Sequence, residues 1–152
     1  MERLVIVLLI VLGSTNTFAQ NKNSETDSVK RVINQLFDGM RKGDSSMVSA
    51  TFAKRMIMQT ISNRQGKVSV VHSEPGGFLK SIASPHPQVY DERITFDHIL
   101  IDGDLASVWT SYKFYVGDKF SHCGVNSFQL VKEDNGWKIV YLIDTRRKDN
   151  CN

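Results

Sequence analysis

Six side chains in the last third of the chain carry the chemistry of a small-molecule site: His98, Trp109, Lys113, His122, Asn126 and Tyr141. His122 is the natural centre. An imidazole close to a cation such as Lys113 is held neutral at physiological pH, able to accept or donate one hydrogen bond. With a carboxylate in reach it becomes a general acid–base; without one it orients a ligand or bonds a neighbour structurally. Lys113 favours an anionic or carbonyl-bearing ligand. Trp109 and Tyr141 serve either as core residues or as stacking walls for a flat molecule. His98 and His122 have no third metal ligand at suitable spacing, and no HExxH motif, nucleophile elbow or Gly-rich phosphate loop occurs. Neither a metal nor a cofactor is expected.

These residues must be positioned by strands. Four runs follow one another: Ile94–Ile101, Leu105–Val116, Phe120–Lys132 and Trp137–Arg146. Asp102-Gly103, Gly117-Asp118 and Asn135-Gly136 separate them, the usual chemistry of tight hairpins. Two-residue hairpins pair Leu100 with Leu105, Lys113 with His122, Asn126 with Ile143 and Phe128 with Tyr141. One face then carries Ile94, Phe96, His98, Leu100, Trp109, Ser111, Lys113, His122, Asn126, Phe128, Leu130, Trp137, Ile139, Tyr141 and Ile143. It is the richer in aromatics and is assigned to the core. Thr95, Asp97, Thr110, Tyr112, Ser127, Gln129, Lys138, Asp144 and Arg146 fall on the other face. A single bulge would exchange the faces of a strand, because side chains alternate with period two.

Upstream, Val29, Val32, Ile33, Leu36, Phe37 and Met40 form one apolar face at helical spacing, with Ser24 or Thr26 as cap and Gly43 as stop. Asp44 caps a short second helix, with Val48 and Phe52 inward. Met56–Ser62 and Lys67–His72 read as a hairpin around Asn63-Arg64-Gln65-Gly66, and Pro75 to Ile82 as a third helix. Met40, Met56 and Met58 suit a core or a pocket floor. Helices first and a meander last make a segregated α+β domain.

The N-terminus reads as a signal peptide over residues 1–19. Arg3 supplies the charge, Leu4 to Leu12 the apolar run, and Thr17-Phe18-Ala19 the small residues that place cleavage after Ala19. Residues 20–152 then form one exported domain of about 133 residues, periplasmic or secreted, with no stable membrane anchor. The net charge of +3 and the scattered basic residues give no nucleic-acid footprint. Export permits a disulfide between Cys123 and Cys151. Two free thiols or an intermolecular bond are the alternatives.

The chain resembles the NTF2-like (SnoaL-like) superfamily, a cone of helices against a curved antiparallel sheet. The likeness is carried by Asp102-Gly103-Asp104-Leu105-Ala106-Ser107-Val108-Trp109-Thr110, the segment Phe120–Val131 around His122-Cys123-Gly124, Gly136-Trp137-Lys138-Ile139, and Asp144-Thr145-Arg146-Arg147. It is nearest to exported bacterial members labelled "putative lumazine-binding". The resemblance implies a cone-shaped pocket and, for many members, a homodimer through the outer sheet face. Isomerases of the superfamily use an Asp base placed after the helices, and this chain has no Asp or Glu between Asp44 and Glu74. Epoxide hydrolases use an Asp-Arg-Asp cluster inside the cone, and Asp144 and Arg146 are assigned above to the outside. The leading expectation is therefore a binding protein without catalysis, its small-molecule ligand unknown. A hydro-lyase or isomerase using His122, and a dimeric interaction module, are the rivals.

Overall fold

The computed structural model describes residues 16–151, with side chains from residue 24 onward. The reading of residues 1–19 as a signal peptide lies outside the described residues, apart from helical backbone that begins at Asn16. No helix among the described residues is long and apolar enough to cross a membrane.

Helix α1 spans Asn16–Lys42. Val29, Ile33, Leu36, Phe37 and Met40 are all buried, one face of a helix with 3.6 residues per turn. The expected cap at Ser24 or Thr26 is not a boundary, since no Gly or Pro lies between Asn16 and Ser24 to stop the helix. Gly43 ends α1 with φ +68, a left-handed conformation that costs glycine nothing. Asp44 then caps α2 (Ser45–Ser49), its carboxylate accepting from the Met47 amide at 2.9 Å. Helix α3 spans Pro75–Ala83 and buries Ile82.

Six strands complete the α+β fold: β1 (Phe52–Arg64), β2 (Lys67–Ser73), β3 (Tyr90–Asp102), β4 (Leu105–Val116), β5 (Lys119–Glu133) and β6 (Gly136–Thr145). They form one curved open sheet in the order β2-β1-β6-β5-β4-β3. All neighbours are antiparallel except β1 and β6, which run parallel. The first hairpin turns on Gln65 and Gly66, both at positive φ, rather than on four residues. The helices cover the concave face, where Phe37 meets Phe128 edge-on at 6.2 Å between ring centroids.

Three one-residue shifts in register decide which side chains reach that face. Between β3 and β4, Phe96 pairs with Thr110 but His98 with Trp109, leaving Asp97 as the extra residue. Between β4 and β5, Tyr115 pairs with Phe120 but Phe114 with His122, leaving Ser121. Between β5 and β6, Leu130 pairs with Ile139 but Gln129 with Tyr141, leaving Val140. Each is a β-bulge, and each exchanges inward and outward positions. The Asp97 bulge is fixed by its own carboxylate, which accepts from the Ser111 amide at 2.8 Å and hydroxyl at 2.6 Å.

The sequence-derived faces are corrected accordingly. Ile94, Phe96, Asn126, Phe128, Leu130, Trp137 and Ile139 are inward, as expected. On β4 the set reverses: Ala106, Val108, Thr110 and Tyr112 are buried, Trp109 is 47% exposed, and Ser111 and Lys113 lie with it. Beyond the bulges His98, Leu100, Tyr141 and Ile143 turn outward, while Asp144 turns inward.

The chain end is held by two contacts. Gly124 lies where the end of β6 crosses β5: a Cβ there would sit 1.8 Å from the Thr145 carbonyl oxygen and 2.8 Å from the Tyr112 ring. Arg147 then pairs with Cys123, and Cys123 is bonded to Cys151, closing the intramolecular disulfide.

Two measurements check this account. Gly124→Ala should lower the unfolding free energy by about 3 kcal/mol, because the overlap is with backbone that cannot rotate away. Cys151→Ser should cost about 3.5 kcal/mol, the loop-closure value for a sequence separation of 28. Chemical denaturation reads both, and a Gly124→Ala variant as stable as the parent would contradict the close crossing.

Candidate functional site

A cavity of about 380 Å³ opens between α1, α3 and the concave face. Its floor is apolar: Leu36, Phe37 and Met40 from α1, Phe78 from α3, Met58 from β1 and Leu142 from β6. Its wall is polar and comes from four strands: Thr60 from β1, Glu92 from β3, Asn126 from β5, and Asp144 and Arg146 from the end of β6 and just beyond it. Ser73 and Glu74 close the rim between β2 and α3.

Sheet register aligns the wall. Thr60 pairs with Asp144, and Asp144 with Asn126, so three polar side chains lie in a row across neighbouring strands. The Asp144 carboxylate accepts from Thr60 Oγ1 at 2.5 Å, from Arg146 Nε at 2.8 Å and from the Tyr112 hydroxyl at 3.4 Å. Tyr112 also donates to the Thr145 carbonyl at 2.8 Å. Arg146 reaches Thr60 Oγ1 at 3.3 Å as well. Such charge-assisted bonds are what a buried carboxylate requires to offset its lost hydration, while the guanidinium of Arg146 stays largely exposed. Asn126 Nδ2 donates to Glu92 Oε1 at 2.7 Å. Glu92 lines the cavity, and its Oε2 has no hydrogen-bond partner among the described residues.

The titration behaviour follows from this packing. Burial pushes the Glu92 carboxyl up to about 7; the charge of Asp144 adds to the rise, and Asn126 and Arg146 oppose it. Burial, then the charges of Asp144 and Glu92, raise the Tyr112 phenol, which stays neutral. Burial pulls the Arg146 guanidinium down, but its bond and ion pair with Asp144 outweigh that and hold it above its ordinary value. The cavity thus offers a carboxyl group poised near neutrality, a fixed ion pair, an amide and an apolar floor. A carboxyl of that kind can donate a hydrogen bond, accept one, or pass a proton. Among the described residues no three His, Cys, Asp or Glu side chains converge as metal ligands.

Of the six residues singled out in the sequence, Asn126 alone lines this cavity. His122 is on the inward side but beyond the cavity, packed on Phe114 at 5.0 Å and edge-on to Tyr112 at 5.7 Å between ring centroids. Its Nδ1 meets Ser121 Oγ at 3.0 Å, and no carboxylate bonds to it among the described residues. Its pKa is lowered, as expected, but by burial and then by Arg146 and Lys148 rather than by Lys113. Trp109, Lys113, His98 and Tyr141 are on the convex face, carried there by the bulges and by the reversed β4. Tyr141 bonds Gln59 there, at 2.5 Å. Lys113 and His122 do not meet, since Phe114 takes the place opposite His122.

Glu92, Thr60 and Tyr112 went unassigned as site residues, and Asp144 and Arg146 were assigned outward. One signal was available. On β4 the even-numbered set Ala106, Val108, Thr110, Tyr112, Phe114 contains no charge, whereas the odd-numbered set contains two serines and Lys113. The missing carboxylate between Asp44 and Glu74 is supplied from later in the chain, by Glu92 and Asp144.

Comparison with known proteins agrees with this architecture. An NTF2-like protein of unknown function from Shewanella baltica superposes with a TM-score of 0.66 at 18% identity, covering 83% of this chain and 96% of its own. An NTF2-like protein with a cystatin-like fold from Novosphingobium aromaticivorans gives a TM-score of 0.68 at 11% identity, covering 92% and 94%. A "putative dehydratase" of the NTF2-like family from Streptomyces avermitilis gives 0.61 at 15% identity, covering 83% and 98%. At such identities the likeness is one of fold. No curated protein matches the chain. The fold is NTF2-like; the model of the family described as "Putative lumazine-binding" matches residues 24–142, and the chain belongs to that family.

Proposed function

We propose that this is an exported protein that binds a small amphipathic molecule in the cone. The observation that carries the reading is the cavity itself: about 380 Å³, apolar below and polar on one wall. Clefts of that size with a few convergent polar groups are the usual form of a ligand site. The family description points the same way. Export rests on the signal-peptide pattern of residues 1–19. A homodimer through the convex face is supported by exposed apolar side chains there, among them Ile57, Leu100 and Trp109.

A second reading is favoured by one feature. A cavity carboxyl with a pKa near 7 suits general acid–base chemistry, and the group in that position is Glu92, not His122. In this reading Asp144 and Arg146 orient the substrate and Glu92 moves the proton. The two readings separate on one variant, because Glu92→Gln abolishes turnover in the second and merely alters affinity in the first.

The binding reading is tested by native mass spectrometry of protein purified from its own host. A retained small molecule is expected on the parent and absent from Leu142→Trp, whose indole would fill the floor. Parent protein that carries nothing and binds no member of a metabolite extract would count against it.

Glu92 also makes a thermodynamic prediction. Its folded pKa of about 7 lies above the ordinary 4.5, so the folded state holds the proton more tightly. The stability linked to Glu92 is therefore full below about pH 4.5 and is lost as pH rises through about 7. Glu92→Gln, which cannot ionise, should be more stable than the parent at pH 8 by about 1–3 kcal/mol and nearly equal to it at pH 4.5. Urea denaturation at the two pH values measures the difference.

A further inference from the structure

The cavity wall is out of charge balance. Glu74, Glu92 and Asp144 bring three carboxyl groups to it, against one cation, Arg146. That cation is partly engaged, with Nε on Asp144 at 2.8 Å and one of its two terminal nitrogens on Thr60 at 3.3 Å. Glu92 receives only the amide of Asn126, a neutral donor. The side chain of Glu74, exposed at the rim, makes no hydrogen bond or ion pair among the described residues.

Other cations near β3 are committed elsewhere. Arg41 and Arg93 both bond Asp91, at 2.8 and 2.7 Å. Lys30 of α1 lies over the Phe96 ring, 5.7 Å from its centroid. Lys113, which would have suited an anion, is on the convex face. From β4, Tyr112 adds a neutral phenol. An anionic ligand would meet Glu92 and Asp144 with Arg146, already paired with Asp144, as the one cation lining the cavity, and like charges in a cavity of low polarity repel strongly.

Resting on the binding reading above, we propose that the cone selects a ligand carrying a basic nitrogen on an apolar body, the protonated nitrogen seated against Glu92 and the body on Phe37, Met40, Met58 and Phe78. Glu92 lines the cavity, and its unpartnered Oε2 accepts from the ligand ammonium; Glu74 at the rim adds a second favourable charge. The ion pair of Arg146 and Asp144 stays intact, because the incoming cation does not compete for Asp144. The apolar floor accounts for the rest of the molecule. Because Glu92 titrates near 7, affinity for the cation rises with pH as that carboxyl ionises.

Matched aryl triplets test the proposal: tryptamine, tryptophol and indole-3-acetate, and phenethylamine with its alcohol and acid counterparts. Calorimetric titration of the full protein at about pH 8 should give the amine at least about tenfold tighter than the alcohol, with the acid weakest, the value of one charge-assisted hydrogen bond. At about pH 5.5 the amine margin should shrink to about threefold or less, and it should do the same in Glu92→Gln at pH 8. Leu142→Trp should bind no member of either triplet. A tightest-binding acid, or an amine preference unchanged in Glu92→Gln, overturns the charge selection while leaving binding in the cone intact. No binding by any member, or equal binding by Leu142→Trp, removes the binding reading and this proposal with it.

Discussion

A strand alternates its side chains, so the extra Val140 between Ile139 and Tyr141 changes which half of β6 faces the helices. Before it, Trp137 and Ile139 fill the closed end of the cone. After it, Leu142, Asp144 and Arg146 point into the open end. Without that slip the same strand would turn Asp144 and Arg146 to solvent and offer Tyr141 and Ile143 to the interior. The wall would then lose its ion pair and keep only Thr60, Glu92 and Asn126 as polar lining. The bulges at Asp97 and Ser121 act in concert, keeping Ile99 and Ile101 against the core beyond one and His122 beside Tyr112 just after the other.

The two buried carboxyl groups are treated differently by their neighbours. Asp144 is surrounded by donors: Thr60, Arg146 and Tyr112 reach it from three other positions in the sheet. Glu92 has a single neutral donor and is raised toward neutrality instead. A protein interior tolerates an ionised carboxylate when it is saturated with hydrogen bonds, and otherwise drives it toward the acid form. Two carboxyls near one another but in unlike hydrogen-bonding surroundings form an asymmetric wall, one side saturated with donors and the other responsive to pH.

The fold was largely legible in the sequence. The apolar spacing of Val29 through Met40, the stop at Gly43, the cap at Asp44 and the Gly117-Asp118 turn correspond to elements in the structure, while the other two hairpins turn one residue away from the expected dipeptides, at Gly103-Asp104 and Asp134-Asn135. The turn chemistry even set the pairing next to two hairpins, where Lys132 faces Trp137 and Val116 faces Lys119. The site was not legible to the same degree, because parity does not survive a bulge. Nothing in the letters around Val140 or Ser121 marks an inserted residue, and aromatic weight drew Trp109 inward when the smaller, uncharged side chains of β4 were the ones that fit beneath α1. Asn126 was placed correctly because it shares parity with Phe128 and Leu130 and no bulge intervenes. The Cys123–Cys151 pairing, one of three outcomes open to two cysteines, was decided by the way the tail turns back at Arg147.

The strand order has a consequence for how the domain comes together. β6 lies between β1 and β5, so the β1–β2 hairpin and the β3–β4–β5 meander touch through the last strand in chain order. Until Gly136–Thr145 is available, neither piece can complete the sheet, and the edges of β1 and β5 stay open. Pairings that span so much sequence form late and slowly. A nascent chain would consequently keep its sheet in two pieces until its C-terminal strand arrives. The final residues would then join the two halves, bring Arg146 into the cone and seal the tail oxidatively in a single closing step.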